Sequence, residues 1–183
     1  MVRKVSSDFV GQAGEYFVLG ELSRQGWTAA LPARNNRAYD IIAKRGEDHA
    51  AIRVKTKSPL SDAFQWQAKK KTGNIFLELS KHNDFCVLVD IPEQSSGGPT
   101  YYIVPTQVIE CWLRTDFDKY IATPGINGPH AATNQRRIIH LDGCAEKIGC
   151  GYREKLAAYK GAWHLLEARK NGHGMGTIET ARG

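Results

Sequence analysis

Tyr39-Asp40-Ile41-Ile42-Ala43, followed after a polar break by Ala51-Ile52-Arg53-Val54-Lys55-Thr56-Lys57, is the stretch on which the reading of this chain turns. An acid bounds one apolar run, and a lysine sits inside the next. On neighbouring strands this pattern brings Asp40 and Lys55 to one place at the edge of a hydrophobic sheet. A carboxylate beside an ammonium can hold a divalent metal and position a water for attack on a phosphodiester. Side chains 53 and 55 share a face because a strand repeats every two residues, so Arg53 is expected to face the same place. A guanidinium is no metal ligand and effectively never deprotonates.

The flanking sequence supplies the rest of an α/β order. Asp8 is the expected N-cap of a helix running to Gln25, with Phe9, Val10, Ala13, Phe17, Val18 and Leu22 as its apolar face and Gly26 as its stop. Gly11, Gly14 and Gly20 each cost about 1 kcal/mol relative to alanine inside a helix, which makes sense if it packs closely on a sheet. Three strands follow, at 27–33, 38–44 and 50–57, punctuated by Pro32, Asn35-Asn36 and Gly46-Glu47-Asp48. The stretch 58–73 reads two ways, with Phe64 and Trp66 alternating like a strand and 67–71 able to form a helix; 74–80 is also ambiguous. Strands at 85–91 and 101–104 come next, separated by a turn over 95–99. Pro105-Thr106 opens a helix through Val108, Ile109, Trp112 and Leu113. The region 116–135 reads as a long loop, 138–141 as a short strand and 152–168 as a final amphipathic helix carrying Leu156, Tyr159, Trp163 and Leu166. The expectation is one domain over 1–170 and a disordered tail over 171–183.

At 183 residues, with 42% hydrophobic and 24% charged, the chain is sized for a single core. Its apolar runs are too short to span a bilayer, and no secretory pattern follows Arg3-Lys4, so a cytoplasmic, non-membrane protein is expected. The four cysteines are scattered; Cys86 and Cys111 read as core thiols, and His140, Cys144 and Cys150 fit no common zinc spacing. The net charge of +6 and pI near 9.2 favour an anionic partner. Clustering adds weight: Arg34, Arg37, Lys44 and Arg45 flank Asp40, then come Lys55 and Lys57, Lys69-Lys70-Lys71, and Arg136-Arg137. One such cluster is ordinarily a solvated face; several around one acid indicate nucleic acid.

With Gly14-Glu15 in the first helix, Asp40 ending one strand and Ile52-Arg53-Val54-Lys55-Thr56 in the next, the chain resembles the PD-(D/E)XK nuclease superfamily, particularly its small bacterial and resolvase-like members. The resemblance covers roughly residues 8–106. It implies a restriction-endonuclease-like α/β fold, a central mixed sheet flanked by helices, with extra C-terminal helices. It places a metal-binding aspartate at Asp40, the catalytic lysine at Lys55 and a supporting glutamate at Glu15, so Asp40 and Glu15 would hold Mg²⁺ or Mn²⁺. The acid or glutamine expected two residues before the lysine is Arg53, a departure from the pattern.

Two arrangements accommodate it. Either the metal takes Asp40, Glu15 and backbone oxygens while Arg53 turns toward phosphate, or no metal binds and Arg53, Lys55 and Lys57 grip the backbone as a cationic patch. The corresponding functions are a divalent-metal-dependent endonuclease and a catalytically inactive nucleic-acid-binding or protein-interaction module. Nucleic acid, DNA before RNA, is the expected partner, contacted by Arg53, Lys57, Arg37, Lys69, Lys70, Lys71, Arg136 and Arg137; resolvase-like relatives imply a homodimer. Asp40 could instead simply pair with Arg37 or Lys55. Trp66, Tyr101 and Tyr102 could stack on unpaired bases or belong to the core. No phosphate loop is present, so no nucleotide cofactor is expected.

Overall fold

The computed structural model describes residues 5–33, 38–57, 61–76, 83–92, 97–126, 128–142 and 151–167. Helix α1 (Ser7–Arg24) leads into β1 (Thr28–Ala30), β2 (Ile41–Arg45) and β3 (Asp48–Lys57). Strands β4 (Ala63–Gln67), β5 (Asp84–Asp90) and β6 (Thr100–Pro105) precede α2 (Thr106–Ala122), β7 (Arg136–His140), α3 (Tyr152–Ala157) and a 3₁₀ turn at Trp163–Leu166. The main sheet has the order β1-β2-β3-β5-β6 and is mixed: β3 and β5 are parallel, the other pairs antiparallel. Helices cover both faces, so the α/β architecture expected from the sequence is the one observed. The tail over 171–183 lies outside the described residues.

The β2–β3 hairpin closes through Gly46-Glu47, with Arg45 opposite Asp48 and Gly46 at φ +59°, a left-handed conformation suited to a two-residue turn. From there Ile41 pairs with Ile52, and β3 runs on beside β5 with Arg53 opposite Cys86 and Lys57 opposite Asp90. Even-numbered β3 residues Ala50, Ile52 and Val54 join Val87, Val89, Val18 and Leu22 in one core. On the other face Cys86, Leu88 and Val104 pack with Phe64, Trp66, Ile109, Leu113, Ile139, Tyr152 and Leu156. Each fully buried leucine or isoleucine here contributes about 1.5–3 kcal/mol relative to exposure.

Several local expectations are corrected. Ser6, not Asp8, is the N-cap of α1, and Asp8 lies in its first turn. The face that meets the sheet is the line Gly14, Val18, Leu22; Phe9 is 66% and Phe17 41% exposed. At 100° per residue, Phe17 is turned about 60° and Phe9 about 140° from Gly14. Gly14 explains the approach, because a Cβ there would fall 1.8 Å from Thr56 Oγ1, whereas Gly11 and Gly20 face open space.

Helix α2 runs through residues 116–122, expected to be loop, because Leu113, Asp116, Phe117 and Tyr120 continue one face, and it ends before Thr123-Pro124. Cys111, expected in the core, is exposed, on the side of α2 away from Ile109 and Leu113. The final helix stops at Ala157. Tyr159 instead accepts a hydrogen bond from Ile103 N–H, Lys160 bridges Tyr102, and Gly161 turns with φ +62°. Backbone pairing with β6 there outweighs helix propensity. Residues 70–72 form a turn after β4, not a helix.

Candidate functional site

Asp40, expected to end a strand, stands where β2 begins. Its N–H donates to Ile52 O at 2.9 Å, carrying the pairing with β3 one residue beyond the ladder. Beyond that point the β2–β3 ladder has ended while β3 continues beside β5, and the Asp40 side chain meets β3: Oδ2 accepts Val54 N–H at 2.8 Å and Oδ1 accepts Arg53 Nη1 at 3.1 Å. The acid therefore pairs with Arg53, not with Lys55, and Arg53 faces the site as the strand period requires. These two side chains are 24% and 31% exposed.

Lys55, two residues along, is half-buried, its Nζ 5.8 Å from the centre of the Trp66 ring. Burial pushes its ammonium below the ordinary lysine range, and Asp40 partly restores it. Cys86, opposite Arg53, is fully buried and its thiol is pushed up to about 12, so it is a neutral neighbour. Glu15 on α1 has its carboxyl raised, by burial first and by the Asp40 charge second, with the Arg53 charge opposing them more weakly. Asp40, Arg53, Lys55 and Glu15 thus act on one another electrostatically. Thr56 Oγ1, buried against Gly14, has no hydrogen-bond partner among the described residues.

This donor set does not fit a resident Mg²⁺ or Mn²⁺ as arranged. Both Asp40 oxygens are engaged, one by a permanent cation. Among the described residues, no three His, Cys, Asp or Glu side chains converge as a metal cluster. Hard divalent ions want several oxygen ligands, and among the described residues Glu15 is the carboxylate whose charge couples to Asp40.

The basic residues divide into three groups. Arg37 lies outside the described residues. Lys57, expected on the nucleic-acid surface, is buried, with Nζ 2.8 Å from Asp90 Oδ1 and donating to Ser61 O at 2.7 Å. Lys69, Lys70, Lys71 and Arg136 are exposed. The short β4–β7 sheet joins these last two clusters, separated by more than sixty residues in the chain: Gln67 pairs with Arg136, Trp66 with Arg137, and Ala68 N–H donates to Gln135 O at 2.8 Å. Trp66, which alternates with Gln67 and so faces the buried side of this ladder, lies beside Lys55. Arg137 is itself buried, its guanidinium 3.4 Å from the centre of the Phe117 ring. Burial lowers its pKa.

The aromatic candidates for base stacking belong to the core: Trp66 and Tyr102 are buried, and Tyr101 packs on Trp163 at 5.3 Å. Phe117 went unnoticed in the sequence, although its spacing of four from Leu113 was a usable signal. His140 lies 3.9 Å from Asp62; Cys144 and Cys150 are outside the described residues.

No protein-family model matches the chain, and no curated protein matches its sequence. Solved structures do. A bacterial homing endonuclease, I-Ssp6803I, is 19% identical with TM-score 0.49, covering 89% of this chain and 92% of that one. Hjc, a Holliday junction resolvase of Archaeoglobus fulgidus, is 18% identical with TM-score 0.39, covering 71% and 83%. MepB is 11% identical with TM-score 0.37, covering 80% and 93%. The chemistry of the site rests on its own side chains.

Proposed function

We propose that this chain is a nucleic-acid-binding protein built on a nuclease-like α/β core, DNA before RNA, in which the Asp40–Arg53 pair stands where the PD-(D/E)XK pattern has metal-binding acids. One observation carries the reading: β4–β7 pairing gathers Lys69, Lys70, Lys71 and Arg136 into one exposed basic surface. Phosphate contacts by lysine and arginine supply affinity without sequence preference and release counterions. Arg53, still part-exposed, is a further cation open to phosphate.

The chemistry left to Asp40 and Lys55 is positional. Asp40 holds Arg53 and caps the free β3 amide, and Lys55 places a desolvated ammonium at the same edge. Hydrolysis in the metal-dependent manner of the resemblance would require Arg53 to leave Asp40.

Fluorescence anisotropy with a labelled DNA duplex, repeated across salt concentrations, tests binding. The wild type should lose affinity steeply as salt rises. Replacing Lys69, Lys70 and Lys71 by alanine should flatten the log–log slope by up to about 3 units on duplex DNA. An affinity indifferent to salt rejects the basic surface. Incubation of the same duplex with Mn²⁺ tests catalysis: cleavage that disappears in both Asp40→Ala and Lys55→Ala variants would reinstate an active nuclease.

A further inference from the structure

Helix α1 is apolar on two opposite sides, which a helix at the surface of a monomer ordinarily is not. Gly14, Val18 and Leu22 face the sheet. On the far side Phe9 is 66% and Tyr16 55% exposed, flanked by Val5 at 59% and Phe17 at 41%. At 100° per residue, Phe9, Ala13, Tyr16 and Gly20 fall within about 60° of one another, and Phe9 is turned about 180° from Val18. The charges of the helix lie off this stripe. Asp8 and Glu15 are about 100° or more round from Phe9, and Arg24, past the end of the stripe, is tied to Glu21 at 2.7 Å.

Shape, charge and area together say what covers such a face. Large and small residues alternate along it, and a Cβ at Gly20 would meet nothing within 4 Å. Within one chain that glycine costs helix stability and gains no packing. In an antiparallel pair of these helices about a two-fold axis, Phe9 comes opposite Gly20 of the second copy and Tyr16 opposite its Ala13, each contact repeated by symmetry. Every ring then meets a small residue, and the backbones approach closely. Parallel pairing would set ring on ring and leave glycine against glycine. Copies of a chain with net charge +6 repel one another, so a self-contact wants a face without charge, and from Val5 to Gly20 this stripe carries none. Charge depletion with aromatic enrichment is the composition of an interface core. At about 200 Å² a ring, Phe9, Tyr16 and Phe17 together expose roughly 300 Å². A standard interface buries about 800 Å² per partner, so the stripe supplies its core and the exposed Ser6, Gln12 and Ser23 beside it belong to the polar rim.

We propose that the outer face of α1 is the contact through which two copies of this chain pair, antiparallel and two-fold symmetric, with Phe9 and Tyr16 of each seated on Gly20 and Ala13 of the other. The resemblance implies a homodimer but no contact face; these side chains supply one. The inference stands apart from the nucleic-acid reading. Glu15 is turned about 100° from Tyr16, so pairing here leaves the Asp40 group of each copy outside the contact.

Sedimentation equilibrium of the full chain over a wide concentration series reads the pairing. The wild type should show a reversible monomer–dimer equilibrium. Gly20→Phe sets ring against ring and should weaken association about thirtyfold or more, the scale of an interface hot spot. Combining Phe9→Ala with Gly20→Phe exchanges large and small, so each ring again faces a small residue, and most of that loss should be recovered. Tyr16→Lys, which puts a charge into the core of the contact, should be monomeric. These positions are exposed in the single chain, so melting curves should show all variants folded; if a Gly20 variant does not fold, Tyr16→Lys decides. A wild type that is monomeric at every concentration overturns the proposal and assigns the face to a different protein. Dimerisation undiminished in Gly20→Phe and Tyr16→Lys places the contact elsewhere and overturns it too. Association lost in Gly20→Phe and not recovered by the exchange overturns the antiparallel register.

Discussion

Arg53→Gln and Arg53→Glu isolate the feature that sets this site apart from a metal centre. In the wild type, Nη1 lies 3.1 Å from Asp40 Oδ1. A divalent ion on that carboxylate would sit about 4 Å from a positive charge, a repulsion of about 8 kcal/mol at an effective dielectric of 20 and about 2 kcal/mol in bulk water. With the side chains 31% and 24% exposed, the true cost lies between those limits. Even the lower limit corresponds to about thirtyfold in affinity. Arg53→Gln should therefore tighten Mn²⁺ binding by at least about thirtyfold, and Arg53→Glu by more, because repulsion becomes attraction. The glutamate variant also sets like charges side by side, so without metal it should melt below wild type, and Mn²⁺ should raise its Tm. Isothermal calorimetry and thermal melts, each with Asp40→Ala as the control, provide the measurements. Two results would refute the reasoning: Mn²⁺ affinities that do not rise in either variant, or a wild type that already binds Mn²⁺ in the micromolar range through Asp40.

Gly14→Ala should destabilise the protein by about 1–3 kcal/mol in urea unfolding, since overpacking against the Thr56 side chain exceeds the roughly 1 kcal/mol of helix propensity gained. Gly11→Ala, facing open space, should stabilise instead. Asp90→Ala should cost about 3 kcal/mol by stranding the Lys57 ammonium, yet leave DNA affinity unchanged in anisotropy titrations because Lys57 is internal. The lowered folded-state pKa of Lys55 means that at neutral pH the folded protein carries a desolvated charge the unfolded chain does not. Wild-type stability relative to Lys55→Met should accordingly rise with pH through the window between that lowered value and the ordinary lysine pKa, where the unfolded state binds more protons. Urea midpoints of the two proteins across alkaline pH read this directly, and a constant difference would show that Lys55 is well solvated.

What lies within a few residues of the chain was legible without coordinates. The alternation through Ile52-Arg53-Val54-Lys55, the break at Gly46-Glu47 and the apolar run at 85–89 specify neighbouring strands, because side-chain period and turn chemistry are local. From these it followed that Arg53 and Lys55 share a face and that the acid of Asp40 meets them. The fold class came from the order of such elements. Other features depended on partners far away in sequence. Which side of α1 is buried was decided by Gly14 lying against Thr56, not by the positions of Phe9 and Phe17. The end of α3 was decided by β6, which draws Tyr159 and Lys160 into its own hydrogen bonding. Lys57 looked like one more surface cation until the parallel register placed Asp90 opposite it. The union of Lys69–Lys71 with Arg136 exists only through the β4–β7 ladder, and the burial of Arg137 only through α2 bringing Phe117 against it. Local pattern selects backbone conformation; which charges end up buried, paired or gathered on one surface is set by long-range register.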